Sequence, residues 1–292
     1  MSPHPRELPK LRDQTLRHLD SPSSALRSGT GQEAQAGLDG LAANLRESGL
    51  YWASADMAAL AVSAGGQLAA ARWSVADRPS ERGLIVFEGG VGHLDAQGVS
   101  IPVEACAWGP HPEGCLVWLL LSRRRLVGEM TRTDLTLVVE ETPPMVPVYA
   151  FTVADGPEPV SMAEVDPAVP PTVVGALAAS WLLMGQPQLV DTRHERPERS
   201  VRRAYARQGR PDPEVVLVDL RRQFVPSGQE GEDGGENKQR RYRHRFVVSG
   251  HWRNQPYGPE RSLRRQTWIP AYVKGPDGAP MLATEKVNVW RR

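Results

Sequence analysis

The chain has 292 residues, 40% hydrophobic and 24% charged, an ordinary globular composition with enough apolar material for a core. Its longest apolar stretch, residues 114–122, is only strand-length, far short of the roughly 18 apolar residues a membrane span needs. The net charge of +1 conceals an asymmetry: from Lys238 onward thirteen Lys and Arg meet three acids, Glu260, Asp277 and Glu285, a net of +10 that leaves −9 on the preceding residues.

Residues 1–33 are rich in Ser, Pro, Gly, Gln and Arg. They predict a mobile N-terminal segment holding one short helix over 8–19. Helical spacing follows over 34–46 and 53–68, the second opened by Ser54 or Asp56 as N-cap and closed at Gly65-Gly66. The period then changes. Residues 83–87, 99–108, 115–121, 135–140 and 146–153 are β-branched or aromatic runs separated by Gly and Pro, which predicts an antiparallel sheet, with 92–98 as a hairpin connection. Pro170-Pro171 opens a helix through Met184, ended by Gly185 and Pro187. A basic helix is expected over 192–210, then an apolar strand over 215–220. The acidic, Gly-rich residues 226–239 read as a flexible loop, and 242–252, 267–274 and 287–290 as strands.

These elements predict an α+β fold with three parts. They are the mobile segment 1–33, a mixed α/antiparallel-β domain over 34–186, and a unit over 187–292 that joins the basic helix to a small basic antiparallel β module.

The chemistry concentrates in that last part. In the segment Arg241–Arg253 the period of two places Arg241, Arg243, Arg245, His251 and Arg253 on one face, and Tyr242, His244, Phe246 and Trp252 on the other. Further cations gather from Arg261, Arg264, Arg265, Lys274, Arg291 and Arg292, with aromatic residues at Trp252, Tyr257, Trp268, Tyr272 and Trp290. Guanidinium groups that neutralise phosphates, interleaved with rings on which bases stack, are the parts of a nucleic-acid groove. On the basic helix, Arg199, Arg202, Arg203, Arg207 and Arg210 share a face at helical spacing, and arginine forks match phosphate oxygens. The bland alternative is a solvated, salt-bridged surface in both places.

A catalytic alternative uses His251, Arg253 and Tyr257 as a metal-independent ribonuclease site, with imidazole moving protons and guanidinium holding the phosphate. Cys106, Cys115 and His111 have no recognised metal-ligand spacing, and core cysteines are the expected reading. Gly89-Gly90-Val91-Gly92 lacks the helix and Gly-Lys-Ser/Thr of a nucleotide loop. No metal and no cofactor are expected. The polar N-terminus has no apolar signal core, which predicts a cytoplasmic protein with reduced thiols and no membrane partner.

The string Gly250-His251-Trp252-Arg253-Asn254-Gln255, followed by Gly258-Pro259, Trp268-Ile269, Tyr272 and Lys274-Gly275-Pro276, resembles a C-terminal module of bacterial proteins common in actinobacteria and in their phages and plasmids. That resemblance implies a discrete C-terminal unit over roughly 240–290 and a mobile-element setting, and it brings no activity with it. The expected function is nucleic-acid binding, DNA or RNA, through phosphates. The alternatives are the ribonuclease and an adaptor whose acidic N-terminal domain recognises a protein.

Overall fold

A computed structural model describes residues 4–24, 26–27, 30–68, 73–96, 98–131, 141–156, 160, 165–221, 246–270 and 272–274. The chain divides into two units, Met1–Arg222 and Gln223–Arg292. The expected α+β class is observed.

The first unit begins with α1 (Leu8–Asp20) and α2 (Gln32–Glu47). The N-terminal residues thus supply a packed helix rather than a mobile lead: Leu8, Leu16 and Leu19 of α1 are buried in the same core cluster as Leu41 and Leu45 of α2. Next come β1 (Gly49–Ala53), α3 (Ala55–Gly65) and β2 (Gly83–Phe87). A small hairpin of β3 (Gly92–Ala96) and β4 (Val99–Val103) leads to β5 (Ala105–His111), β6 (Gly114–Ser122), α4 (Arg123–Thr131), β7 (Met145–Ala154) and α5 (Pro171–Met184). The unit closes with β8 (Val190–Glu195), α6 (Arg199–Arg207) and β9 (Val215–Leu220).

Seven of these strands form one sheet in the order β7-β6-β5-β2-β1-β9-β8. The purely antiparallel expectation is corrected at its centre, where β1 runs parallel to both β2 and β9. Parallel neighbours need a crossover, and α3 supplies it between β1 and β2. Four of the five β1 residues are buried; a strand covered on both faces reads as an apolar run without alternation. Residues 135–140, expected as a strand, lie outside the described residues.

Helices cover both faces. Ser54 caps α3, its Oγ accepting the Met57 N–H at 3.3 Å. The helix α5 is apolar all round and almost wholly buried. It crosses α3 so closely that a Cβ on Gly65 would stand 2.4 Å from the Gly175 carbonyl carbon. On the opposite face α2 meets β5, where Asn44 abuts Gly109. Among the described residues no helix is long and apolar enough to cross a membrane.

The expected helix over 192–210 is corrected. Residues 190–195 form β8, an edge strand paired antiparallel to β9, and only 199–207 are helical. Pro197 explains the break: it donates no backbone hydrogen bond, and the residue before it is driven out of the helical region. Polar Arg193, His194 and Glu195 suit an edge. Because β9 pairs with β1, residues 190–220 belong to the first sheet, and the division falls after Arg222 rather than near 186.

In the second unit β10 (Phe246–Val248) pairs with β13 (Tyr272–Lys274), and β11 (His251–Tyr257) with β12 (Leu263–Ile269). Both pairs keep one register, from Phe246 opposite Lys274 to Tyr257 opposite Leu263, so they are two halves of a single hairpin. The break lies at Ser249-Gly250, which splits the strand expected over 242–252, and at Pro270, which has no N–H for the ladder. Residues 226–239 and 287–290 lie outside the described residues.

Trp108 of β5 is fully buried and lies across Gly83 of β2, where a Cβ would stand 2.1 Å from its Cζ2, and it stacks on Tyr51 of β1 at 5.7 Å between ring centroids. Gly83→Ala should therefore overpack this face and lower the stability by about 1–3 kcal/mol. Gly37→Ala in α2, with nothing within 4 Å of the new methyl, should be neutral or stabilise by up to about 1 kcal/mol. Urea denaturation followed by tryptophan fluorescence reads both midpoints.

Candidate nucleic-acid interface

The period of two and the observed register sort the hairpin side chains. Trp252 faces Trp268 directly across the ladder, with ring centroids 5.3 Å apart at 67°. Both are buried, and Gly250 beside them is needed because a Cβ there would meet the Trp268 ring at 2.6 Å. The opposite face carries His251, Arg253, Gln255 and Tyr257 on β11 and Leu263, Arg265, Thr267 and Ile269 on β12. Arg253, Tyr257, Leu263 and Arg265 are exposed. Arg265 lies diagonal to both Arg253 and Tyr257, about 7–8 Å between Cα atoms, and its Cζ sits 5.4 Å over the Tyr257 ring.

The predicted cations are thus divided. Arg253, Arg265 and His251 share a face. Arg264 lies on the tryptophan side and folds back on the turn, donating to the carbonyls of Arg261 at 2.7 Å and Leu263 at 3.2 Å. Among the described residues no carboxylate pairs with Arg253, Arg264 or Arg265. Arg241, Arg243 and Arg245 lie outside the described residues, and of Lys274 only the backbone is described. The turn between the strands is strained: Glu260 and Arg261 adopt φ of 51° and 55°, which costs a non-glycine residue about 1–2 kcal/mol.

A catalytic arrangement of His251, Arg253 and Tyr257 is not assembled. All three lie on one face, but six residues of extended strand separate His251 from Tyr257, about 20 Å. His251 Nδ1 lies 3.1 Å from the Ser249 carbonyl. A carbonyl only accepts, so this contact requires the proton on Nδ1. By register the residues nearest His251 on that face are Arg253, Thr267 and Ile269, and none of them is a general acid or base.

In the first unit α6 forms a separate cationic patch. Val201 and Tyr205 bury its inner face, while Arg199, Arg203 and Arg207, spaced four apart, are exposed. Among the described residues none of the three has a carboxylate partner; Arg207 Nε donates to the Arg203 carbonyl at 3.3 Å. The other two predicted members are withdrawn. Arg202 is half-buried with its Nε shielded and unpartnered. Arg210 lies beyond the helix, its Cζ 4.3 Å over the Tyr205 ring. Tyr205 also accepts a hydrogen bond from Arg12 Nη2, and burial, aided by Asp13, raises its hydroxyl pKa.

The carboxyl ends of β1, β2 and β9 meet beside the start of α3, where open α/β sheets usually take ligands. Here the polar groups are occupied with one another. Ser54 Oγ donates to Asp219 Oδ1 at 2.7 Å, Asp219 Oδ2 pairs with Arg193 at 3.4 Å, and Glu88 accepts the Ala55 N–H at 3.3 Å. The set closes the N-terminal end of α3. No cluster of ligating side chains suited to a metal ion occurs among the described residues.

The pairing of Tyr257 with Leu263 escaped the sequence reading. Leu263 sits in an Arg- and Ser-rich stretch, and only the register shows it opposite Tyr257. Compared with known families and curated proteins, the chain matches no family model and no curated sequence.

Burial pushes the Cys106 thiol up to about 12 and raises that of Cys115 as well, and both are free. Neither thiolate should form in the folded chain at about pH 8, where an exposed cysteine reacts readily. A disulfide-exchange reagent should titrate no thiol natively and both in guanidinium. Rapid native reaction at either site would contradict the packing around β5 and β6.

Proposed function

We propose that this chain binds nucleic acid, DNA or RNA, mainly through phosphate contacts made by the basic C-terminal hairpin, with the exposed face of α6 as a second patch. The observation that carries the reading is the pair Arg253 and Arg265: exposed, on one face of a hairpin whose other side is anchored by two buried tryptophans, and without a carboxylate partner among the described residues. An arginine fixed on a rigid strand and left unneutralised keeps its charge and its donor fork for an external phosphate. Electrostatic asymmetry between the segments supports the same partner, because +10 from Lys238 onward concentrates positive potential where the global sum of +1 would not. The reading carries with it a cytoplasmic setting, and the resemblance of the 250–276 string supports a mobile-element or regulatory role.

Release of counterions gives such binding a steep salt dependence, with log K falling linearly against log salt. A fluorescence-anisotropy titration of mixed-sequence single strands and duplexes across a salt series tests it. Replacing Arg253 and Arg265 together by Gln should reduce the slope by about 2, and replacing Arg199, Arg203 and Arg207 together by up to about 3. Absence of binding at low salt, or a slope indifferent to all five substitutions, rejects the proposal.

A further inference from the structure

Val62, Val99, Tyr257 and Leu263 are the exposed large hydrophobic residues among those described, and two of the four stand directly opposite each other at the hairpin end. Tyr257 is 42% exposed and Leu263 49% exposed. Two apolar side chains left in water on adjacent strands lose the burial that either would gain against a partner. Arg265 lies over one face of the Tyr257 ring, Arg253 follows on the same face of the ribbon, and Arg261 lies in the turn itself. From 251 to 269 there are four arginines and one acid, Glu260.

From this juxtaposition of an exposed ring, an exposed aliphatic side chain and flanking guanidinium groups, we propose that the hairpin end is a stacking platform for the unpaired bases of single-stranded nucleic acid. The inference rests on the nucleic-acid reading above and narrows its substrate class. Phosphate contact alone gives no reason for Tyr257 and Leu263 to be exposed together, whereas an unpaired base presents the flat apolar face that both can cover. A duplex hides those faces in its stack. The ring of Tyr257 and the guanidinium plane of Arg265 both serve as stacking surfaces.

A membrane surface fits less well. The residues outermost on the hairpin are those of the turn, Gly258 to Ser262, which carry Glu260, Arg261 and a polar backbone. Insertion would carry these into the bilayer ahead of the apolar pair.

The test uses the full chain and labelled short strands of mixed sequence, single-stranded and duplex, with anionic phosphatidylserine vesicles as a third arm. Tyr257→Ala should weaken single-strand binding about tenfold, leave duplex binding within about twofold, and spare the near-ultraviolet signal of Trp252 and Trp268. Tyr257→Phe should restore the affinity, and Leu263→Ser should show the same selectivity as the alanine variant. Equal losses on single strand and duplex, or none on either, overturn the inference while leaving phosphate binding standing. Failure of the unaltered chain to bind any nucleic acid overturns both, and binding of vesicles alone replaces them with a membrane role.

Discussion

The pairing of β1 with two parallel neighbours organises the first unit. Leu50 to Ala53 lie between Leu84–Phe87 on one side and Val215–Val218 on the other. The β9 side brings together segments more than 160 residues apart in sequence, as the Ser54–Asp219 hydrogen bond illustrates. Closing so long a loop is entropically unfavourable, and the cost grows only slowly with length. It is offset by burying β1 on both faces. Leu50 and Trp52 enter the core shared with α1 and α2, while Tyr51 enters the aromatic cluster with Trp108 and Trp181. Every other placement follows: α3 must cross over, β8 becomes an edge, and α6 hangs between β8 and β9 with one face outward.

That connectivity explains why α6 shows arginines to solvent. A nine-residue helix with two buried anchors, Val201 and Tyr205, has little apolar surface to offer, so its remaining faces stay exposed. The hairpin of the second unit uses a related economy. Trp252 and Trp268 bury one face near the break at Gly250 and Pro270, and burial fades along the ribbon until Tyr257 and Leu263 face solvent. In both places a small aromatic anchor holds a short element while its outward face is left to guanidinium groups.

Local signals in the sequence were reliable where one side chain decides the backbone. Ser54 caps α3 as its position suggests, Pro171 starts α5, and the apolar runs at 83–87 and 215–220 are strands. What sequence periodicity could not supply was long-range pairing. Of the five residues of β1, 49–52 lie unassigned between two predicted helices and Ala53 falls within the second, and nothing in that string announces parallel partners. The basic stretch 192–210 misled for another reason: arginines at helical spacing run through Pro197, and the proline should have outweighed them. On the hairpin, alternation correctly set Trp252 against Arg253, yet the cross-strand partners needed the register. Arg264 and Arg265 are neighbours in sequence and lie on opposite faces.

The unpaired arginines gain meaning from how the other arginines of this chain are used. Arg6, Arg46, Arg82 and Arg193 each meet a carboxylate, Glu195, Asp20, Glu47 and Asp219. Arg27 donates twice to the Leu19 carbonyl at the end of α1, and Arg123 to that of Thr142. Arg12 and Arg210 both lie against the Tyr205 ring. Carboxylates, carbonyls and rings all serve as arginine partners in this fold, and among the described residues Arg199, Arg203, Arg207, Arg253 and Arg265 have no carboxylate. An exposed ion pair contributes only about 0–1 kcal/mol, so the lack of a carboxylate partner among the described residues at Arg199, Arg203, Arg207, Arg253 and Arg265 costs the fold little. Five positive charges thus stand at the surface without a carboxylate partner among the described residues, three on α6 and two on the hairpin.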